Sequence, residues 1–196
     1  MNGGIEIIQR CGWARKSPRL LKYHDTEWGV PEFNERKLFE AFSLEIIQAG
    51  LRWDLILKKR SAIRHAFKNF EDRRVAKLDL RQLLRNHLII RNRLKLAAII
   101  HNARQLIQLH RCGSSLKQLT WQPVHYVQLD HFLHYSDKLD NTRFIRRFLV
   151  PLRIHGFERS GPKTVYSYLQ AVGVVNDHLV NCFRHRQINE KMGEIK

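Results

Sequence analysis

The sequence predicts an all-α chain. Apolar residues recur at helical spacing nearly throughout, alternating runs long enough for a strand are scarce, and the first long apolar stretch is bracketed by a cap and a stop. Asn34 is placed to cap ERKLFEAFSLEIIQAG, where Leu38, Phe39, Phe42 and Leu44 to Ile47 supply a buried face and Gly50 ends the run. Further helices are expected near 53–68, 80–87, 94–110, 142–153, 162–173 and 177–184. The clearest stripe lies in LKLAAIIHNARQLIQL, where Leu96, Ile99, Ile100, Ala103, Leu106 and Ile107 fall on one side. Periodicity dissolves between 113 and 140, a stretch rich in histidine that reads as a long connection. Pro151 should kink or end its helix, because it lacks an N–H and crowds the preceding turn. The tail from 185 to 196 is polar and expected to fray.

At 196 residues the chain is long enough for a sizeable core in one domain, with no repeats and no low-complexity linker. Its formal net charge is +17, a field that selects nucleic acid or another polyanion as partner. No apolar run reaches the roughly 18 residues that a membrane helix needs. Three cysteines, Cys11, Cys112 and Cys182, do not make a disulfide framework, so reduced thiols and a soluble cytoplasmic protein are expected.

Two groupings carry chemistry. YHDTEWGVP, from Tyr23 to Pro31, packs two aromatics, an imidazole and two carboxylates ahead of a Gly-Val-Pro turn. A capped loop with a half-buried Trp would account for it, as would a binding site. In VNDHLVNC, His178 and Cys182 stand four apart and would share one helical face. Cys11 and His24 form a C-x12-H interval at the other end of the chain. Two sulfurs and two nitrogens make the closed donor set that suits structural zinc, although a His/Cys pair at this spacing is also common in ordinary cores.

Taken in order, RCGW, YHDTEWGVP, KLFEAFSLEIIQAGLRW, LIIRNRLKLAAIIHNAR and GPKTVYSYLQAVGVVNDH resemble the signature of the DNA-3-methyladenine glycosylase I family. The likeness runs from about residue 10 to 184. It implies one glycosylase domain over 1–196, an all-α helix-hairpin-helix fold, and a structural zinc that joins the termini through Cys11, His24, His178 and Cys182. It further implies a pocket for a flipped base made by Trp13, Tyr23, Trp28 and Trp53, with Glu45 as the catalytic carboxylate. The expected partner is double-stranded alkylated DNA, bound by a monomer, and the expected reaction is hydrolytic removal of 3-methyladenine.

The chemistry is consistent with those residue types. A base must leave the duplex before its glycosidic bond can be reached, and N3-alkylated adenine is a cation that indole and phenol faces attract. A carboxylate among them can accept hydrogen bonds from the exocyclic amine. The resemblance makes Leu51 the apolar wedge that fills the gap. It also makes GFERSGPKT a hairpin whose Gly161, Lys163 and Thr164 meet a phosphate at a helix start. Arg91, Arg93 and Lys95, with Lys58, Lys59, Arg60 and Arg64, are further candidates for the DNA backbone. The first reading is a monofunctional enzyme; Lys163, where the family commonly has Thr, opens the alternative of a glycosylase/lyase with Lys163 as nucleophile, and a second alternative is a damage-recognising DNA-binding protein that kept the zinc and the basic face but lost the pocket.

Overall fold

The computed structural model describes residues 8–134 and 142–194; residues 135–140 of the expected connection and 195–196 of the tail lie outside the described residues. After a short 3-10 turn at Gly12–Lys16, the chain forms α1 Pro18–Thr26, α2 Glu35–Gln48, α3 Trp53–Ala66, α4 Asp72–Val75 and α5 Leu80–Arg85. There follow α6 Arg93–Arg111, α7 Leu116–Trp121, β1 Leu129–Asp130, α8 Thr142–Ile154, α9 Pro162–Ala171, β2 Val175–Asn176 and α10 Phe183–Glu194. The fold is mostly helical. Its two short strands pair in parallel, Leu129 with Val175 and Asp130 with Asn176.

Local chemistry sets the long helices. Asn34 caps α2, its side chain accepting from the Lys37 N–H, and Asn92 does the same for α6 through Lys95. Gly50 closes the stretch after α2 with φ near +79°, a conformation that costs glycine little. Helix α6 threads the core with Leu96, Ile99, Ala103 and Leu106 buried. Phe39, Phe42 and Ile46 of α2 and Val165, Tyr168 and Leu169 of α9 belong to the same apolar cluster. Phe42 meets Tyr168 edge-on at 5.4 Å between ring centres, so α2 and α9 are packed through aromatics.

Several expectations are corrected. The helix expected at 177–184 is a series of bends and turns, and the true helix starts at Phe183 and runs through most of the expected tail. Ile188 on that helix is wholly buried, so one apolar anchor among polar residues holds it down. The stretch after 113 is largely structured: α7 buries Leu116 and Trp121, and β1 brings residues 129–133 beside residues 174–180. Helix α8 runs on past Pro151 to Ile154: the proline removes the one bond its own N–H would make, while its carbonyl still accepts from the His155 N–H at 3.0 Å.

The Gly-Val-Pro turn after α1 is fastened from outside. The Gln128 amide donates to the carbonyls of Gly29 at 3.0 Å and Gly173 at 2.7 Å. Gly173 has φ near +73°, and a Cβ there would stand 2.5 Å from the backbone of Val30 and Pro31. The Trp121 indole donates to the Glu32 carbonyl just beyond. This fixes the path by which α1 hands over to α2.

Candidate functional site

Residues from five separate stretches meet around one cavity of about 370 Å³. Trp13 comes from the N-terminal 3-10 turn, Tyr23 from α1, Trp28 from the turn after it, Glu45 from α2 and Trp53 from the first position of α3. All five expected pocket residues therefore line a single space. Trp13 and Trp28 stand nearly perpendicular with ring centres 5.0 Å apart, and Tyr23 and Trp53 are tilted at 5.4 Å. The buried Trp53 indole nitrogen has no hydrogen-bond partner among the described residues.

Glu45 is 5% exposed, and burial pushes its carboxyl up to about 8 from an ordinary 4.5. At neutral pH it is held mostly as the neutral acid, ready to ionise if a positive charge enters the cavity. Tyr23 is pushed well above the ordinary phenol range, first by burial and then by the Glu45 charge, so it stays a neutral phenol. Behind Tyr23 and Trp53 lies a second cavity of about 330 Å³ crossed by ion pairs. Arg60 bridges Glu27 at 2.5 Å and Glu40 at 3.2 Å, and Arg64 meets Glu40 at 2.6 Å. These pairs brace the rear of the aromatic wall.

The cavity has lining residues that the sequence alone did not reveal: Gln48, Leu133, Ser167, Gln170 and Asp177. Gln48 follows Glu45 by three positions, which a helical projection from Glu45 would have found. Asp177 accepts from the Tyr166 hydroxyl and from the Gln170 amide at 2.8 Å, and it faces His131 Nδ1 at 2.6 Å. It is a second carboxylate on the cavity wall, with both oxygens engaged by these neighbours. Leu133 and His131 come from the stretch in which no pattern was legible.

Beside the cavity, Cys11, His24, His178 and Cys182 are all buried, and their donor atoms lie within 4.8 Å of one another. His178 Nδ1 is 3.2 Å from His24 Nε2, 3.6 Å from Cys182 Sγ and 3.7 Å from Cys11 Sγ; Cys182 Sγ is 3.4 Å from His24 Nε2. The other ring nitrogens face outward: His24 Nδ1 meets Asp25 at 2.8 Å, and His178 Nε2 meets the Trp28 carbonyl at 3.1 Å. That is the arrangement that orients imidazoles toward a metal, and the cluster could hold one. His178 and Cys182 converge across a turn, not along a helix face, with the Cys182 N–H donating to the Leu179 carbonyl.

Leu51 follows Gly50 in the α2–α3 connection, where its carbonyl accepts from the Gln48 amide. Helices α8 and α9 form a hairpin through 155–161, with Gly161 as the N-cap of α9 and Lys163 and Thr164 in its first turn. Lys163 is exposed and absent from the cavity lining. Arg91, Arg93 and Lys58 are exposed, but the other basic candidates are engaged internally. Lys95 is buried and donates to the carbonyls of Ile47 and Ala49, Lys59 donates to that of Leu88, and Arg60 and Arg64 hold the ion pairs described above.

The family model described as methyladenine glycosylase matches residues 13–185. DNA-3-methyladenine glycosylase 1 of Escherichia coli K12 is 39% identical over 179 residues, covering 89% of this chain and 96% of that protein. DNA-3-methyladenine glycosylase of Haemophilus influenzae is 36% identical over 180 residues, covering 90% and 97%. A crystal structure of 3-methyladenine DNA glycosylase I superposes with a TM-score of 0.85 at 40% identity, covering 89% of this chain and 98% of that one. A structure of the Staphylococcus aureus enzyme, solved to explain 3-methyladenine recognition, gives 0.81 at 33% identity, covering 90% and 96%. This chain belongs to the methyladenine glycosylase family.

Proposed function

We propose that this protein is a DNA-3-methyladenine glycosylase, a base-excision repair enzyme that flips 3-methyladenine out of alkylated duplex DNA and hydrolyses its glycosidic bond. The observation that carries this reading is the convergence of Trp13, Tyr23, Trp28, Trp53 and Glu45 on one cavity. The reading includes a cytoplasmic monomer whose partner is double-stranded alkylated DNA. The α8–α9 hairpin supports membership of the helix-hairpin-helix superfamily.

The mechanism follows from charge. Extruding a nucleotide costs a few kcal/mol, which Leu51 offsets by filling the vacated stack. The cationic base then meets aromatic faces, each contact stabilising it by about 0.5–2 kcal/mol. Its positive charge lowers the Glu45 pKa, and the resulting carboxylate accepts from the exocyclic amine. Neutral adenine brings no charge to ionise Glu45, so the same pocket discriminates against it. The Trp53 N–H supplies a donor to a ring acceptor. The leaving group departs as a neutral base, so little acid catalysis is required. Water completes hydrolysis at the sugar carbon.

Gly161 supports phosphate contact at the hairpin. Its φ is unstrained and a Cβ there would meet nothing within 4 Å, so no internal constraint calls for glycine. Close approach of a DNA phosphate to the α9 N-terminus does. Lys163 and Thr164 would flank it.

The Cys11, His24, His178 and Cys182 cluster fits structural zinc. Tetrahedral bonds of about 2.3 Å to sulfur and 2.0–2.1 Å to nitrogen place donors about 3.3–3.8 Å apart, close to the four separations of 3.2–3.7 Å given above, and all the donors lie within 4.8 Å of one another. Zinc supplies a cross-link when bound. No step of the reaction passes through it.

Release of 3-methyladenine from methylated duplex DNA tests the reading directly: the folded wild type should release it and leave adenine in place, and no release would sink the proposal. Borohydride trapping on abasic DNA addresses the lyase alternative. The exposure of Lys163 outside the cavity leads us to expect no trapped adduct.

A further inference from the structure

Helix α8 has two opposed faces. Ile145, Phe148, Leu149 and Leu152 fall on one side at helical spacing and are buried in the core. The opposite side carries Arg143, Arg146, Arg147 and Arg153, all exposed, interleaved with Val150 at 47% and Ile154 at 75% exposure. The helix TRFIRRFLVPLRI contains no acidic residue. Among the described residues none of the four arginines forms an ion pair, whereas Arg10, Arg60, Arg64 and Arg74 all do. Four guanidinium groups without an ion-pair partner among the described residues concentrate positive potential on one face.

From this we infer that the exposed face of α8 is a second nucleic-acid contact surface, distinct from the cavity and the α9 N-terminus, that grips the phosphate backbone beside the lesion. It rests on the glycosylase reading for the identity of its partner. The chain itself gives the continuity: α8 ends at Ile154, directly before the hairpin that leads into Gly161, and α8 packs against α9. From Arg143 to Arg153 the helix advances about 15 Å, which spans roughly four phosphates of one strand at about 3.4 Å of rise each. Arginine suits the task because its planar guanidinium binds phosphate oxygens in pairs. Val150 and Ile154 give an apolar surface to the deoxyribose between phosphates. An anionic membrane is the weaker match, since the helix has already buried its main apolar face in the protein core and has only two apolar side chains to insert.

The test compares three full-length proteins binding an undamaged DNA duplex at several salt concentrations. They are the wild type, a variant with Arg143→Gln, Arg146→Gln, Arg147→Gln and Arg153→Gln, and a control that removes the same charge elsewhere through Arg73→Gln, Lys77→Gln, Arg81→Gln and Arg85→Gln. Each DNA phosphate that is no longer neutralised should reduce the slope of log K against log salt by about 0.9, so the slope of the α8 variant should fall by about 2–4 and that of the control by clearly less. An unchanged slope in the α8 variant, or an equal fall in both variants, overturns the inference. Co-sedimentation with phosphatidylserine vesicles forms a separate arm: vesicle binding that depends on the α8 arginines, with DNA binding unmoved, replaces nucleic acid by membrane. Circular dichroism confirms that the variants are folded. Release of 3-methyladenine separates the two readings, because a wild type that neither binds DNA nor releases base fails the proposed function, while an active wild type with an insensitive α8 variant fails only this inference.

Discussion

Glu45 concentrates the chemistry of the pocket in one proton. The folded state keeps that proton up to about pH 8, whereas the unfolded chain gives it up near 4.5. The native state therefore binds more protons across this interval, and stability falls as pH rises through it. Glu45→Gln should remove that slope and leave the variant more stable than wild type above pH 8, by on the order of 2–4 kcal/mol. Thermal denaturation of both proteins from pH 5 to 9 checks it; parallel curves would mean that Glu45 is solvated. The same carboxylate should set an ascending limb of kcat/KM toward pH 8 that vanishes in Glu45→Gln. Its identity was legible in the sequence through the resemblance, but its burial was not, because burial depends on aromatics from four other stretches gathering around it.

Lys95 shows how an element is held and why charge alone misleads. In the sequence it is one more cation in LIIRNRLK, a candidate for DNA. In the fold it is buried, its pKa lowered first by burial and then by Arg159, and its ammonium binds the carbonyls of Ile47 and Ala49 where α2 ends. It steadies the turn that carries Leu51 and leads to Trp53. Lys95→Met should cost about 1–3 kcal/mol by leaving those carbonyls without a donor, measured by urea denaturation. Gly173→Ala should cost more than about 3 kcal/mol, because a Cβ 2.5 Å from backbone has no flexible neighbour to displace. Long helices such as α2 and α6 were legible from period and cap. The turn at 177–182 was not, since His178 and Cys182 satisfy a helical spacing while the packing of Asn176, Asp177 and His178 fixes a different path. The contribution of 129–133 was hidden for a related reason: its partners, residues 174–180, are remote in sequence.

At the scale of the whole molecule, the stretches around Gln9–Trp13 and His178–Phe183 meet beside the pocket. Arg10 pairs with Asp25 at 3.0 Å and lies over the Phe183 ring, and the Phe183 N–H donates to the Gln9 carbonyl, so the Cys/His cluster proposed to hold zinc sits inside a larger junction. Removing the metal with a chelator, or substituting Cys182→Ser, should lower Tm by on the order of 10 °C, and the two treatments should not add. Additive effects would show that Cys182 stabilises the fold without metal. The net charge of +17 was readable at once and predicts steep salt dependence, but only the fold separates cations engaged in ion pairs from those free to meet DNA. What unites these scales is the claim that one aromatic cavity with a buried acid is where the base is removed. Its decisive test is single-turnover release of 3-methyladenine by wild type, Glu45→Gln and Trp53→Ala at one salt concentration. Release that falls by at least about 100-fold in both variants, with duplex binding retained, is the expected result; release at wild-type rate in either folded variant would place the chemistry outside this cavity.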